Sequence, residues 1–179
     1  MEEESIETPA GGESPRVHHE EPRHHFTDTL SEIRTGIVEM GALIAENARR
    51  AGLAITENRM DLVPVVVEAD DEVDARYAHL EKLTFETMAL QQPVAGDLRF
   101  LVSATRILYE LERSGDLAFN VAELSREEDF CESELKSVRS LVADLGQQAA
   151  KLVGAAIDAW TSKDDKLAAD IARQDDVID

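Results

Sequence analysis

Apolar residues recur every three or four positions near the start of the chain: Phe26, Leu30, Ile33, Ile37, Met40, Ile44, Ala48, Ala51 and Ile55. That spacing draws one apolar stripe along a helix. It predicts a first helix over 26–57, capped by Thr27 or Asp28. Leu62, Val66, Ala69, Val73, Tyr77, Leu80 and Leu90 continue the period and predict a second helix over 60–91. Pro64 suits its first turn, and Pro93 stops it by pushing the preceding residue out of the helical region. A third helix is expected from Gly96 or Asp97 to Glu123. Its apolar residues, among them Leu98, Phe100, Leu101, Leu108, Leu111 and Phe119, lie on several sides, so it is expected to be the most buried of the three. Short connections between long helices favour antiparallel neighbours, hence a three-helix bundle.

The pattern then restarts. Shifting residues 26–74 by 105 positions sets Arg34 on Arg139, Gly41 on Gly146, Ala51 on Ala156, Ala54 on Ala159 and Leu62 on Leu167. The acidic cluster Asp70, Asp71, Asp74 falls on Asp175, Asp176, Asp179. This is an internal duplication. The expected organisation is an acidic, disordered tail over 1–25, a first three-helix repeat over 26–125 and a partial second repeat over 126–179. The second copy ends where its second helix has begun, which is expected to leave Val138, Leu141, Leu145, Leu152 and Ile157 poorly covered. A fragment, a truncated product or a dimer that completes its bundle in trans are the readings this leaves.

Composition narrows the function. The 179 residues carry a formal net charge of −20 and only 4% aromatics. Such a surface repels nucleic acid and anionic lipid and favours cations or basic partner surfaces, though solubility alone accounts for it equally well. The single cysteine, Cys131, excludes an internal disulfide and reads as a small apolar residue. No apolar run reaches the roughly 18 residues of a membrane span, and the N-terminus lacks an apolar signal core. A cytoplasmic protein without direct membrane insertion is expected.

Candidate chemistry rests on acidic residues four apart. Glu112, Asp116 and Asn120 form one row on the third helix, and Asp70 and Asp74 another on the second. Residues four apart share a helix face, where like charges cost about 0.2–0.5 kcal/mol per pair in water and more when buried. Glu112 falls in register with Leu98, Leu101, Leu108 and Phe119, so it should point to the bundle interior or its rim. Oxygen donors from two adjoining helices make a site for a hard cation or iron. Salt bridging to Arg99, Arg106 and Arg113 is the competing reading. Among other candidates, His79 stands alone on the second helix, and the paired His18, His19, His24 and His25 lie in the tail, where ligands are poorly held. No phosphate-cradling glycine loop occurs, and no general base has an oriented partner. Trp160 and Tyr109 are expected to pack.

The stretch MALQQPVAGDLRFLVSATRILYELERSGDLAFNVAEL at 88–124 closely resembles the signature of the PhoU family. The loop LQQPVAGDLR, the LERSGD segment after it, DDEVD on the second helix and HHFTDTLSEI at the entry to the first all fit that pattern. The resemblance covers about 26–179. It implies an all-α fold of two tandem, antiparallel three-helix bundles and a regulator rather than an enzyme. It implies multinuclear iron or zinc clusters, or other divalent cations, held by Glu/Asp-x-x-x-Asp motifs. Matched by position, those motifs are Asp70 with Asp74, Glu112 with Asp116, and Asp175 with Asp179. Asn120 matches the family asparagine, and Asp97 and Arg99 the loop–helix junction. The resemblance further implies negative regulation of phosphate uptake and of the phosphate-starvation response, through the sensor histidine kinase and the ATPase subunit of the phosphate ABC transporter, and a homodimer. Ser114, Glu110 and Arg106 depart from the usual residues and leave the motif intact. The absent third helix of repeat two removes the partner motif for Asp175 and Asp179. A metal-free helical interaction module using its acidic face is the alternative.

Overall fold

The computed structural model describes residues 20–126 and 136–175. Among these residues five helices carry the fold: α1, Glu20–Thr56; α2, Val63–Gln91; α3, Ala95–Leu124; α4, Lys136–Ser162; and α5, Asp165–Asp175. There is no strand among the described residues, and no helix there is long and apolar enough to cross a membrane. Cys131, His18, His19, Asp176 and Asp179 lie outside the described residues.

The breaks between helices have local causes. Asn58 adopts the left-handed conformation (φ 54°) two residues after α1, where asparagine is tolerated better than other side chains. A 3-10 turn over Met60–Leu62 leads into α2, whose first turn contains Pro64. Gln92 turns left-handed at the end of α2, Val94 is extended ahead of α3, and Pro93 between them cannot continue a helix. At the α4–α5 junction Asp164 Oδ1 accepts hydrogen bonds from the backbone N–H groups of Lys166 and Leu167, both 3.0 Å, which caps α5.

Helix α1 starts earlier than its stripe predicts. Residues 20–25, read as tail, are helical, so Thr27 and Asp28 lie inside the helix rather than at its cap. Thr29 Oγ1 instead donates back to the His25 carbonyl, 2.9 Å. Polar residues extend a helix that tertiary contacts have nucleated further along.

Helix α1 is the axis of the fold and packs against α2, α3 and α4. Its Ile33, Ile37, Met40 and Ile44 are 0–1% exposed. The expectation that α3 is the most buried helix is therefore wrong. Leu98, Val102, Tyr109 and Leu117 on α3 are 40–63% exposed, because only its inner face meets α1 and α2. Glu39 pairs with Arg76 at 2.7 Å and Glu32 with His79 at 3.2 Å, so α1 and α2 run antiparallel. A Cβ on Gly41 would lie 2.6 Å from Ile157, and Gly52 meets Gly146, so α4 also runs antiparallel to α1, on close backbone contact. Ile157 is thus 7% exposed rather than uncovered, whereas Val138, Leu141 and Leu145 are 38–58% exposed as the duplication leads one to expect. Trp160 stacks on Phe100 (5.6 Å between centroids), and the Arg34 guanidinium lies over both rings.

The apolar interior of the first three helices falls into two groups. One holds Ile33, Ile37, Met40 and Ile44 of α1, Val73 and Leu80 of α2, and Leu101, Ala104, Leu108 and Leu111 of α3. The other holds Ala51 and Ala54, Val63 and Val66, and Ala122.

Candidate metal centre

Helical spacing sets Asp70 and Asp74 one turn apart on α2, and Glu112 and Asp116 one turn apart on α3. The two rows meet because Gly115 lets the helices close together. A Cβ there would sit 3.1 Å from Asp70 Oδ1 and 3.2 Å from Val73 Cγ1. Asp74, Glu112 and Asp116 each offer an oxygen, and these oxygens all lie within 4.8 Å of one another. They form the one such group of three or more potential ligands among the described residues. Asp74 and Asp116 are exposed at the mouth of the cleft, and Glu112 is half-buried on its rim, as its register predicts.

Asp70 lies behind this group. Its Oδ1 is buried and has no hydrogen-bond partner among the described residues. Burial, and after it the charges of Asp74, Asp116, Asp71 and Glu112, raises its carboxyl to about 6. Glu112 is raised as well, first by burial and then by Asp116 and Asp74, against an opposing pull from Arg113. Nearby Tyr77 donates its hydroxyl to Glu81 at 2.6 Å, and that bond, with burial and the charge of Glu112 added, raises the phenol to about 12.

The arginines that would support the salt-bridge reading are directed elsewhere. Arg113 approaches Glu110 at 3.7 Å and lies over Tyr109. Arg99 and Arg106 line grooves on other faces of α3. Among the described residues no lysine or arginine forms an ion pair with Asp70, Asp74, Glu112 or Asp116. Four hard oxygen donors with no ion-paired lysine or arginine among the described residues, one of them orphaned, suit a divalent cation or iron.

Not every sequence candidate joins the site. Asn120 is exposed one turn beyond Asp116 and falls outside the carboxylate group. Asp175 is the last residue of α5, which packs mainly on α4, and it falls outside the carboxylate group; Asp179 is beyond the described residues. His79 is exposed beside Glu32, and Trp160 packs while Tyr109 stays half exposed. Gly115 is the functional residue that acidic spacing does not flag. Its signal is a glycine in mid-helix, a position it weakens by roughly 1 kcal/mol relative to alanine, placed between two acidic residues.

The PhoU domain model matches residues 37–125, a stretch that contains both acidic rows. A Mycobacterium tuberculosis relative, "Phosphate-specific transport system accessory protein PhoU homolog 2", is 31% identical over 157 residues, which is 88% of this chain and 74% of that protein. The chain belongs to the PhoU family. A Synechocystis PhoU homolog is 28% identical over 88% of this chain and 69% of its own length. The crystal structure of PhoU from Pseudomonas aeruginosa superimposes with a TM-score of 0.75 at 27% identity, over 85% of this chain and 72% of that one. Helices α1, α2 and α3 pack on one another, and the carboxylate cleft lies between α2 and α3.

Proposed function

We infer that this PhoU-family chain is an accessory protein of phosphate transport that acts as a metal-binding adaptor and negative regulator, without catalytic turnover. The names of its relatives support the transport assignment. The convergence of Asp74, Glu112 and Asp116 in front of the orphaned Asp70 carboxylate carries the metal reading. Asp74, Glu112, Asp116 and Asp70 would hold a divalent cation or an iron or zinc cluster. Bound there, the metal supplies positive charge that offsets the repulsion among the four carboxylates.

The residues of the chain do the rest. Asp70 and Asp74 tie α2, and Glu112 and Asp116 tie α3, to one point, while Gly115 sets the separation of the two helices. That fixes the angle at which the outer face of α3 is presented. The proposed partners are the ATPase subunit of the phosphate ABC transporter and its sensor histidine kinase, met at the cytoplasmic side of the membrane by a homodimer. Because Asp74 and Asp116 are exposed, a second reading stands beside this one: a metal-free interaction module whose acidic face meets a basic partner.

Elemental analysis of the purified protein separates the two. The first reading expects metal in the wild type, its loss in the Glu112→Ala/Asp116→Ala double variant, and derepressed phosphate uptake in cells carrying that variant. A metal-free wild type, with a double variant that still represses uptake, would remove the metal reading.

A further inference from the structure

The two apolar groups in the first bundle are separated by a layer in which each helix places a polar or small residue, beside the buried Ala69 of α2 and Ala118 of α3. On α1, Asn47 stands between Ile44 of one group and Ala51 of the other. On α2, Asp70 stands between Val66 and Val73, and on α3 Gly115 stands between Leu111 and Ala122. Asn47 is 0% exposed, and neither its Nδ2 nor its Oδ1 has a hydrogen-bond partner among the described residues. A buried amide left this way costs about 1–3 kcal/mol, so its place in the core calls for a reason.

Register sets the two orphans at nearly the same level of the bundle. The contacts Glu39–Arg76 and Gly36–Leu80 set residues 44–47 of α1 beside the turn of α2 that contains Asp70. At 1.5 Å per residue Asn47 lies within about one turn of the level of Asp70. Helical side chains lean toward their own N-terminus. On antiparallel helices Asn47 and Asp70 therefore lean toward each other. Asn47 is not on the face that meets α4, which Gly41, Ala48 and Gly52 occupy. On the third side of the layer Asp70 Oδ1 packs directly against Gly115, where a Cβ would lie 3.1 Å from it.

We propose that the carboxylate cleft has an inner cation subsite reaching α1, with Asn47 Oδ1 as a neutral oxygen ligand beside Asp70 Oδ1. The occupant is a hard divalent cation, because both donors are oxygens and one carries no charge. Asp74, Glu112 and Asp116 form the outer part of the same site, so the proposal rests on the metal reading above and adds a third helix to it. A cation there locks α1 to the α2–α3 pair, whereas the outer carboxylates alone lock only α2 to α3.

The test uses the full chain and Mn2+ as the probe, read by calorimetric titration and by the electron paramagnetic resonance spectrum of the bound ion. Asn47→Leu is expected to weaken Mn2+ binding at least tenfold and change the spectrum, while the metal-free protein melts no lower than wild type. Asn47→Asp, which keeps an oxygen ligand, is expected to bind at least as tightly as wild type. If Asn47→Leu does not fold, Asn47→Ala against Asn47→Asp gives the same comparison. Wild-type affinity in Asn47→Leu or Asn47→Ala overturns the proposal and leaves Asn47 an unsatisfied core amide. The Glu112→Ala/Asp116→Ala variant separates the two failures. If it loses Mn2+ while Asn47→Ala keeps it, only the inner subsite falls. If the wild type takes up no Mn2+, both fall.

Discussion

Replacing Asp70 by asparagine keeps its shape and removes its charge, and the structure sets both the sign and the size of the effect. The carboxyl is raised from an ordinary 3.8 to about 6, so the folded chain holds this proton more tightly than the unfolded chain does. The stabilisation is complete below about pH 3.8 and is lost as pH rises through about 6. Metal-free protein therefore becomes less stable between weakly acidic and neutral pH. A shift of about two units at ~1.4 kcal/mol each gives an upper bound near 3 kcal/mol, and solvent at the open mouth of the cleft screens this to ~1–2 kcal/mol. In a chain of this size 1 kcal/mol moves the melting temperature by about 2–4 °C. With chelator present, Asp70→Asn should melt about 3–6 °C above wild type near pH 7.5 and level with it near pH 4. Glu112→Gln should act in the same direction, since its carboxyl is raised by burial and by two of the same neighbours. Circular dichroism melts across that range, with the variant and wild type side by side, isolate Asp70 from the other carboxylates of this acidic chain. Parallel profiles for the two proteins would refute the reasoning, because the pH dependence would then arise elsewhere.

Gly115→Ala places a methyl 3.1 Å from Asp70 Oδ1 and 3.2 Å from Val73; it should destabilise by about 1–3 kcal/mol, measured by urea denaturation, despite the better helix propensity of alanine. Gly41→Ala should loosen α4 from α1, since its Cβ would meet Ile157 Cγ1 at 2.6 Å; Gly41→Ala/Ile157→Ala, which removes that carbon, should cost less than the sum of the two single changes, and a double-mutant cycle measures the coupling. Trp160 is the single tryptophan, so its fluorescence reports the α3–α4 contact. Phe100→Ala removes the ring it stacks on and should red-shift that emission and, since Phe100 is only partly buried, cost about 1–3 kcal/mol, whereas an unshifted spectrum would mean that the stack does not hold α4.

Periodicity locates the helices well because an amphipathic stripe is a local signal. The breaks on either side of α2 carry Asn58, Pro64 and Pro93, whose backbone constraints are also local. Periodicity does not supply which stripe meets which. Helix α3 is apolar on several sides, and that breadth suggests burial, yet Leu98, Val102 and Leu117 face outward. Helix α1 has one clean stripe but is covered from three directions, by α2, α3 and α4; Gly36 lets Leu80 of α2, and Gly41 and Gly52 let Ile157 and Gly146 of α4, approach its backbone. The start of α1 escapes the pattern for a related reason: residues 20–25 have no apolar period of their own and take their helicity from the turns beyond them.

The site divides along the same line. Its outer carboxylates are legible, since spacing of four on two adjacent helices is enough to bring Asp74, Glu112 and Asp116 together. Gly115 and Asn47 are not, because each matters only through its neighbours across the bundle. A glycine in mid-helix and an asparagine within an apolar stripe each weaken the local element that contains them. Both occur at one level of the bundle, where the apolar interior is interrupted and Asp70 Oδ1 is buried. These are two independent local costs on different helices, one of them at Gly115 directly against the Asp70 carboxylate; a core selected for stability alone would avoid both.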